Sequence, residues 1–190
     1  GSIGSELCRQ ISQCEPRKII LLGKGENSIF LIAQDLNKNF PQVQTECVIA
    51  DIRNWTKICH VFKTFSPELV FHAAAHKHVY LMESDVEEAI TTNVFGTRNL
   101  LRAIQRYGSK RFVMISTDKA VNPTSVMGAS KRLAELQVQH MAEILDRTQF
   151  VTVRFGNVLG SRGSVVPIFE KQIRSGGPVT VTHPDMTRFF

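Results

Sequence analysis

The sequence predicts a doubly wound α/β fold, a parallel sheet with helices on both faces. Three observations carry that expectation. Apolar runs of strand length alternate with longer stretches whose apolar residues recur every three or four positions. A polar or glycine-bearing segment follows each candidate strand, as expected where the carboxyl ends of parallel strands meet solvent and ligand. No apolar run approaches the roughly 18 to 20 residues needed to cross a bilayer.

The elements follow in order. Ile3, Leu7, Cys8 and Ile11 share one face of a first helix, and Lys18 to Leu22 reads as a strand. A helix near Glu26 to Leu36 carries the stripe Ile29, Phe30, Ala33 and Leu36, and Glu46 to Ala50 is a second strand. Trp55, Ile58 and Phe62 stripe the next helix, which Pro67 closes because the residue before a proline is pushed out of the helical region. Leu69 to Ala73 is then a strand, Val86 to Tyr107 one long helix, Arg111 to Ser116 a strand and Ser125 to Leu145 a helix. The remainder reads as a strand at Phe150 to Arg154, a helix at Val165 to Arg174 and a short strand at Val179 to Thr182.

Composition narrows the function. The chain has 190 residues, 43% hydrophobic and 21% charged, which suits one globular domain and excludes disorder, collagen and coiled coil. The net charge of +6 comes from scattered basic residues with one tryptophan and two tyrosines for stacking, so an anionic small molecule is expected and nucleic acid is not. Cys8, Cys14, Cys47 and Cys59 form no Cys-x-x-Cys pair and lie in apolar-periodic segments, where free thiols behave as small buried hydrophobes. No signal-peptide pattern opens the chain, so this segment is expected to be cytoplasmic and without membrane contact.

Both ends read as internal to a longer chain. The first helix opens on Gly1-Ser2-Ile3-Gly4 with no strand before it, and the sequence stops on the apolar Phe189-Phe190. A cloning remnant at Gly1-Ser2 is the alternative source of that beginning. A first strand is therefore expected to be missing from the sheet centre, between the strands beginning at Lys18 and Leu69, leaving two rows of backbone groups unpaired. The Gly1-x-x-Gly4 spacing suits a turn into a helix whose free N–H groups hold a pyrophosphate, the second glycine allowing close packing on the sheet. His76-Lys77-His78 lacks a third ligand at a recognised spacing, so no metal is expected.

The segment STDKAVNPTSVMGASKRLAE at 116–135 resembles the extended short-chain dehydrogenase/reductase superfamily, specifically the CapD-type nucleotide-sugar 4,6-dehydratases of polysaccharide biosynthesis. GSIGSEL at 1–7, FHAAAHKHV at 71–79, TNVFGTRNL at 92–100, RFGNVLGSRGSVVP at 154–167 and HPDMTRFF at 183–190 extend the resemblance over nearly the whole chain. It implies a Rossmann-like dinucleotide-binding part at 1–155 and the start of a substrate-binding part at 156–190, each truncated. It further implies an NAD or NADP cofactor and a UDP-sugar substrate, UDP-N-acetylglucosamine foremost, with the complete protein a homo-oligomer. Some large members of the group are membrane-tethered.

The resemblance also implies roles. Hydride leaves sugar C4 for the dinucleotide, Lys119 removes the C5 proton, Asp118 protonates the departing C6 hydroxyl, and hydride returns to C6. The parent motif has tyrosine at position 127 and lysine four residues on; here they are Met127 and Lys131. A thioether cannot exchange a proton, so the C4 hydroxyl proton passes to Thr117, Asp118 or water. Methionine at 127 matches a tethered subgroup of the dehydratases. Asp51 and Ile52 are expected at the adenine, Ala73, Ala74 and Ala75 where backbone approaches the dinucleotide, Asn93 near the active site and Lys131 on the nicotinamide ribose. Lys24 stands where an acidic residue often selects NAD, which leaves the 2′-phosphate open. Lys77, His78, Asn157, Arg162, Ser164 and Arg188 are expected around the nucleotide sugar. A UDP-sugar 4-epimerase and a dinucleotide-binding domain without catalysis are the alternatives.

Overall fold

The computed structural model describes residues 1–161, 163–181 and 185. Five parallel strands form two sheets. In the first, β1 (Lys18–Gly23) pairs with β2 (Gln44–Ile49), from Lys18 opposite Gln44 to Gly23 opposite Ile49. In the second, β4 (Arg111–Ile115) lies between β3 (Leu69–His72) and β5 (Gln149–Val153), with Leu69 opposite Arg111 and Arg111 opposite Gln149. Helices α1 (Ser2–Gln13), α2 (Glu26–Asn39) and α3 (Trp55–Phe65) join or precede the first sheet; α7 (Val126–Ile144) links β4 to β5, and α8 (Val165–Arg174) follows.

Alternation along β1 explains the two covering layers. Ile19 and Leu21 pack with Ile29, Ile32 and Leu36 of α2, whereas Ile20 and Leu22 turn the other way, toward Val48, Ala50 and Val61. The main core joins Ile58 and Phe62 of α3, Leu100, Leu101 and Ile104, Phe112 and Met114 of β4, and Ala134, Val138 and Met141 of α7. Leu22 of one sheet and Val70 of the other both border this cluster. The helices thus hold together two sheets that share no ladder.

The open seam between β1 and β3 falls where a missing central strand was expected. Among the described residues neither strand has a hydrogen-bonded neighbour on its second side. Leu69 and Phe71 of β3 remain 52% and 40% exposed, although apolar residues of an interior strand are ordinarily covered.

The long helix expected over 86–107 is interrupted. It comprises α5 (Val86–Ala89), a π-helical turn (Ile90–Gly96) and α6 (Thr97–Tyr107), preceded by the unforeseen α4 (Val79–Ser84). At Gly96 a Cβ would lie 2.5 Å from Ile52 Cδ1, so a side chain is excluded where the π turn crosses Ile52. Phe30 is 57% exposed and Ile32 takes the buried place expected for it, because the stripe of α2 runs through Ile29, Ile32 and Leu36. Cys14 and Cys47 are exposed rather than buried; all four cysteines are free thiols. No strand forms over 179–181, where the Gln172 carboxamide instead accepts from Thr180 N (3.1 Å) and donates to its hydroxyl (3.0 Å). Thr182 lies outside the described residues. No helix among them is long and apolar enough to cross a membrane.

Open edges should exchange. Free-edge amides of β1 and β3 are expected to exchange hydrogen about tenfold faster or more than those of β4, which is paired on both sides. Equal protection across all five strands would contradict the seam.

Candidate active site

Strand ends place the chemistry. After β4, Ser116 N donates to Val153 O (2.7 Å) and Asp118 N to Phe155 O (3.1 Å), so the 116–118 segment continues beside the end of β5. A 3-10 turn, Asp118–Ala120, then forms, capped by Thr117, whose Oγ1 accepts from Lys119 N at 3.3 Å. That hydroxyl donates to Asp118 Oδ1 (2.8 Å), and Lys119 Nζ donates to the same oxygen (2.9 Å). Asp118 and Lys119 are therefore an ion pair with side chains 48% and 38% exposed, worth about 0–1 kcal/mol to stability. Partial burial alone would raise the Asp118 carboxyl, but hydrogen bonds from Lys119 and Thr117 outweigh it and hold it below the usual carboxylate range.

Two contacts fix this turn. A Cβ on Gly128 would stand 2.3 Å from Lys119 O, so glycine permits α7 to approach the turn's backbone. Beneath it, buried Glu135 accepts from Ser116 Oγ (2.6 Å), Arg154 Nε (2.8 Å), Arg154 Nη2 (2.6 Å) and Arg132 Nη1 (3.2 Å). Burial pushes its carboxyl up, but these donors prevail and bring it to about 2.

Lys131 is buried and donates from Nζ to Ile115 O (2.8 Å) at the end of β4. Burial, partly offset by Glu135, lowers its pKa to about 8. His72 is also buried: Thr97 Oγ1 donates to Asn93 O (2.6 Å), so it accepts from His72 Nε2–H (2.9 Å). Desolvation and the charge of Lys131 depress the His72 pKa to about 3, leaving the ring neutral. Met127, one turn from Lys131, is buried and packs with Met82 and Ala89. It supplies packing at the place of the parent motif's phenol.

A second set of groups surrounds the loop after β3. Asn93 Oδ1 accepts from His76 N (2.8 Å), and its Nδ2 donates to His76 O (3.1 Å) and Ser130 Oγ (2.9 Å). The buried carboxamide expected near the cofactor is thus engaged in clamping this loop to α7. Asp51 is gripped by Arg53 through Nε (3.1 and 3.0 Å), Nη2 (2.7 Å) and the backbone N–H (2.9 Å), with Lys24 Nζ 3.4 Å away. The Arg53 guanidinium holds the Asp51 pKa down to about 2. Lys24 thus sits beside Asp51 and not in an isolated turn.

Other expected site residues are less gathered. Gly1 caps α1, and Ser2 and Ile3 open it, but a Cβ at Gly1 or Gly4 would meet nothing within 4 Å. The close packing expected at Gly4 is therefore absent, with no strand beside it in the seam. Ile52 is buried against the main core; Ala74 and Ala75 are exposed and Ala73 half-buried. Lys77 is exposed, and His78 caps α4 with Cε1 3.0 Å from where a Gly163 Cβ would lie, so the segment after β5 reaches the loop after β3. Asn157 is half-buried, and the Ser164 hydroxyl, at the start of α8, is buried without a partner among the described residues. Arg162 and Arg188 lie outside the described residues. Grooves of about 290 Å³ at Trp55 and Arg102 and about 430 Å³ at Ile168 and Pro178 include none of these groups.

Sequence reasoning missed Arg53, Glu88, His72 and Glu135. Arg53, two residues after Asp51 in a loop, carried the one readable signal, since that spacing lets a guanidinium fold back on a carboxylate.

Gly128→Ala should destabilise the chain by about 1–3 kcal/mol in urea unfolding, because displacement of Lys119 O outweighs the roughly 1 kcal/mol helix-propensity gain. Unchanged stability with unshifted Lys119 resonances would contradict the contact. Lys131 should titrate near 8 by NMR, against 10.5 for the unfolded chain. Its charge is penalised in the folded state, so stability rises as pH climbs from about 8 to about 10.5, by a few kcal/mol. A midpoint above 10 would contradict its burial.

The whole chain, residues 1–190, matches the family model described as polysaccharide biosynthesis protein. It is 58% identical over 191 residues to the capsular polysaccharide biosynthesis protein CapD of Staphylococcus aureus, covering 100% of this chain and 32% of CapD. A UDP-glucose 4-epimerase of Rickettsia bellii is 43% identical over 143 residues, covering 74% of this chain and 41% of that enzyme. The solved structure of Pen from Bacillus thuringiensis superposes with a TM-score of 0.90 at 35% identity, over 100% of this chain and 59% of Pen. The chain thus spans about a third of CapD, and its parallel-sheet architecture is that of the extended short-chain dehydrogenases/reductases. The family match over residues 1–190, with 58% identity to CapD along the whole chain, makes this chain a member of the polysaccharide biosynthesis protein family.

Proposed function

We propose that the chain carries the cofactor-binding and proton-transfer groups of an NAD(P)-dependent nucleotide-sugar 4,6-dehydratase, acting on UDP-N-acetylglucosamine. The observation that carries this reading is the Asp118–Lys119 pair, held by Thr117 at the end of β4 and bordered by buried Lys131. The residues present suit a dinucleotide. The first turn of α1 offers backbone N–H groups, Asp51 presents a carboxylate, and small side chains at Ala73, Ala74 and Ala75 leave backbone accessible. Bound there, the cofactor supplies hydride acceptance at sugar C4 and hydride return at C6.

The charge states set the condition for turnover. A base that takes the C5 proton must be a neutral amine, and an acid for the C6 hydroxyl must be a protonated carboxyl. In water the pair is Lys⁺ and Asp⁻, the reverse arrangement with the same number of protons. Moving one proton along the existing 2.9 Å hydrogen bond interconverts them. A sugar lying over the half-exposed pair removes water from both charges and favours the neutral arrangement. Lys119 then accepts from C5 while Asp118 donates to the departing hydroxyl. With Met127 buried and Asp118 already protonated in this arrangement, the C4 hydroxyl proton leaves to water, and Lys119 returns a proton to C5 as hydride reaches C6.

The Rickettsia relative favours the second reading, a 4-epimerase. Product analysis separates them. The full-length protein incubated with UDP-N-acetylglucosamine in deuterium oxide should give a 4-keto-6-deoxy sugar labelled at C5; an epimerised sugar without label would establish the rival. Lys119→Ala should lower turnover by about 10²-fold or more while dinucleotide affinity stays within about twofold. Undiminished turnover would remove Lys119 as the base.

A further inference from the structure

Glu88 has no part in the proposed proton transfers, yet its carboxylate joins two loops at opposite ends of the proposed site. Oε1 accepts from Arg53 Nη1 at 2.6 Å, and Oε2 accepts from His76 Nε2 at 3.1 Å. Arg53 turns its other edge to Asp51 through Nε and Nη2. A continuous chain of charge-assisted bonds therefore runs from Lys24 and Asp51 through Arg53 and Glu88 to His76.

The π turn makes this convergence possible. In an α-helix, residues five apart diverge by about 140° round the axis. Here Glu88 and Asn93 both reach His76, one holding its ring and the other its backbone. Asp85 accepts from Glu88 N at 3.3 Å and caps α5, on which Glu88 lies. Arg53, Glu88 and His76 have side chains 30%, 37% and 41% exposed. At such exposure ion pairs add little stability. Their geometric effect is larger, since a planar guanidinium gripped on both edges cannot shift at one without moving the other.

We propose that Glu88 is a positioning residue that couples the two ends of the site, so that a dinucleotide engaging the Asp51–Arg53 loop sets the His76 loop for the nucleotide sugar. The inference rests on reading these loops as the adenine and sugar sites. Affinity for UDP-N-acetylglucosamine is measured calorimetrically on the full-length protein, with and without saturating NADH or NADPH, which cannot accept hydride. In the unsubstituted protein, reduced dinucleotide is expected to tighten sugar-nucleotide binding by about fivefold or more. Glu88→Leu retains much of the bulk but offers neither acceptor nor donor, so it serves neither Arg53 nor His76; the enhancement should fall to about onefold, with each ligand's separate affinity within about threefold. His76→Leu, which removes the donor at the other end of the bridge, should abolish the same enhancement. Retained enhancement in both variants would overturn the coupling role alone. An unsubstituted protein that binds neither ligand would overturn the site reading and this inference with it.

Discussion

The buried carboxylate of Glu135 is the interaction on which the strand-end site depends. From α7 it reaches Ser116 after β4 and Arg154 after β5, tying together three elements that border Asp118 and Lys119. A charge at that depth is tolerable only because its donors replace water; leaving it with a partner removed costs about 3–5 kcal/mol in typical buried pairs. The site's geometry is therefore enforced from below. Asp118 and Lys119 are exposed and weakly paired, and their location comes from strand ends, the Gly128 contact and the capped turn rather than from their own attraction.

The same logic holds one level up. The two sheets share no hydrogen-bonded ladder, so the first is positioned relative to the second by helix packing, chiefly α3 against α6 over Ile58, Phe62, Leu101 and Ile104. Burial of such side chains contributes about 1.5–3 kcal/mol each. This hydrophobic layer is nondirectional, whereas the polar bridges across it are directional. Asn99 Nδ2 donates to Ile52 O and Arg53 O, both at 3.0 Å, and pins the Asp51 loop to α6. Packing brings the sheets together, and buried amides set their register.

Much of this was legible in the sequence because strands and amphipathic helices write their periods directly. Boundaries of β1, α3, β4 and α8 fall within a residue or so of the alternation that announces them. What was hidden depends on tertiary contact. A π turn changes the residue count per turn without changing which residue types look helical, so the break over 90–96 left no signal. Asn93 was singled out, but its full engagement by His76 and Ser130 depends on a loop seventeen positions earlier and a helix after β4. Arg53 and Glu88, thirty-five positions apart, form a bond that no local pattern records.

Met127 and the Asp118–Lys119 pair bear together on how such a site can work. A phenol at position 127 would accept the sugar proton from a fixed place, assisted by Lys131. The buried thioether removes that path and leaves proton traffic to the turn and to water. Lys131, lowered to about 8 by burial, remains cationic for most molecules at neutral pH and bonded to Ile115 O. On the proposed reading, acid and base are then a single hydrogen-bonded pair whose reactive form is the minor one in water. The reactive form gains population only as a ligand excludes solvent. The half-exposed pair fits that requirement: on the proposed reading it is inert while hydrated, and its activation belongs to the complex.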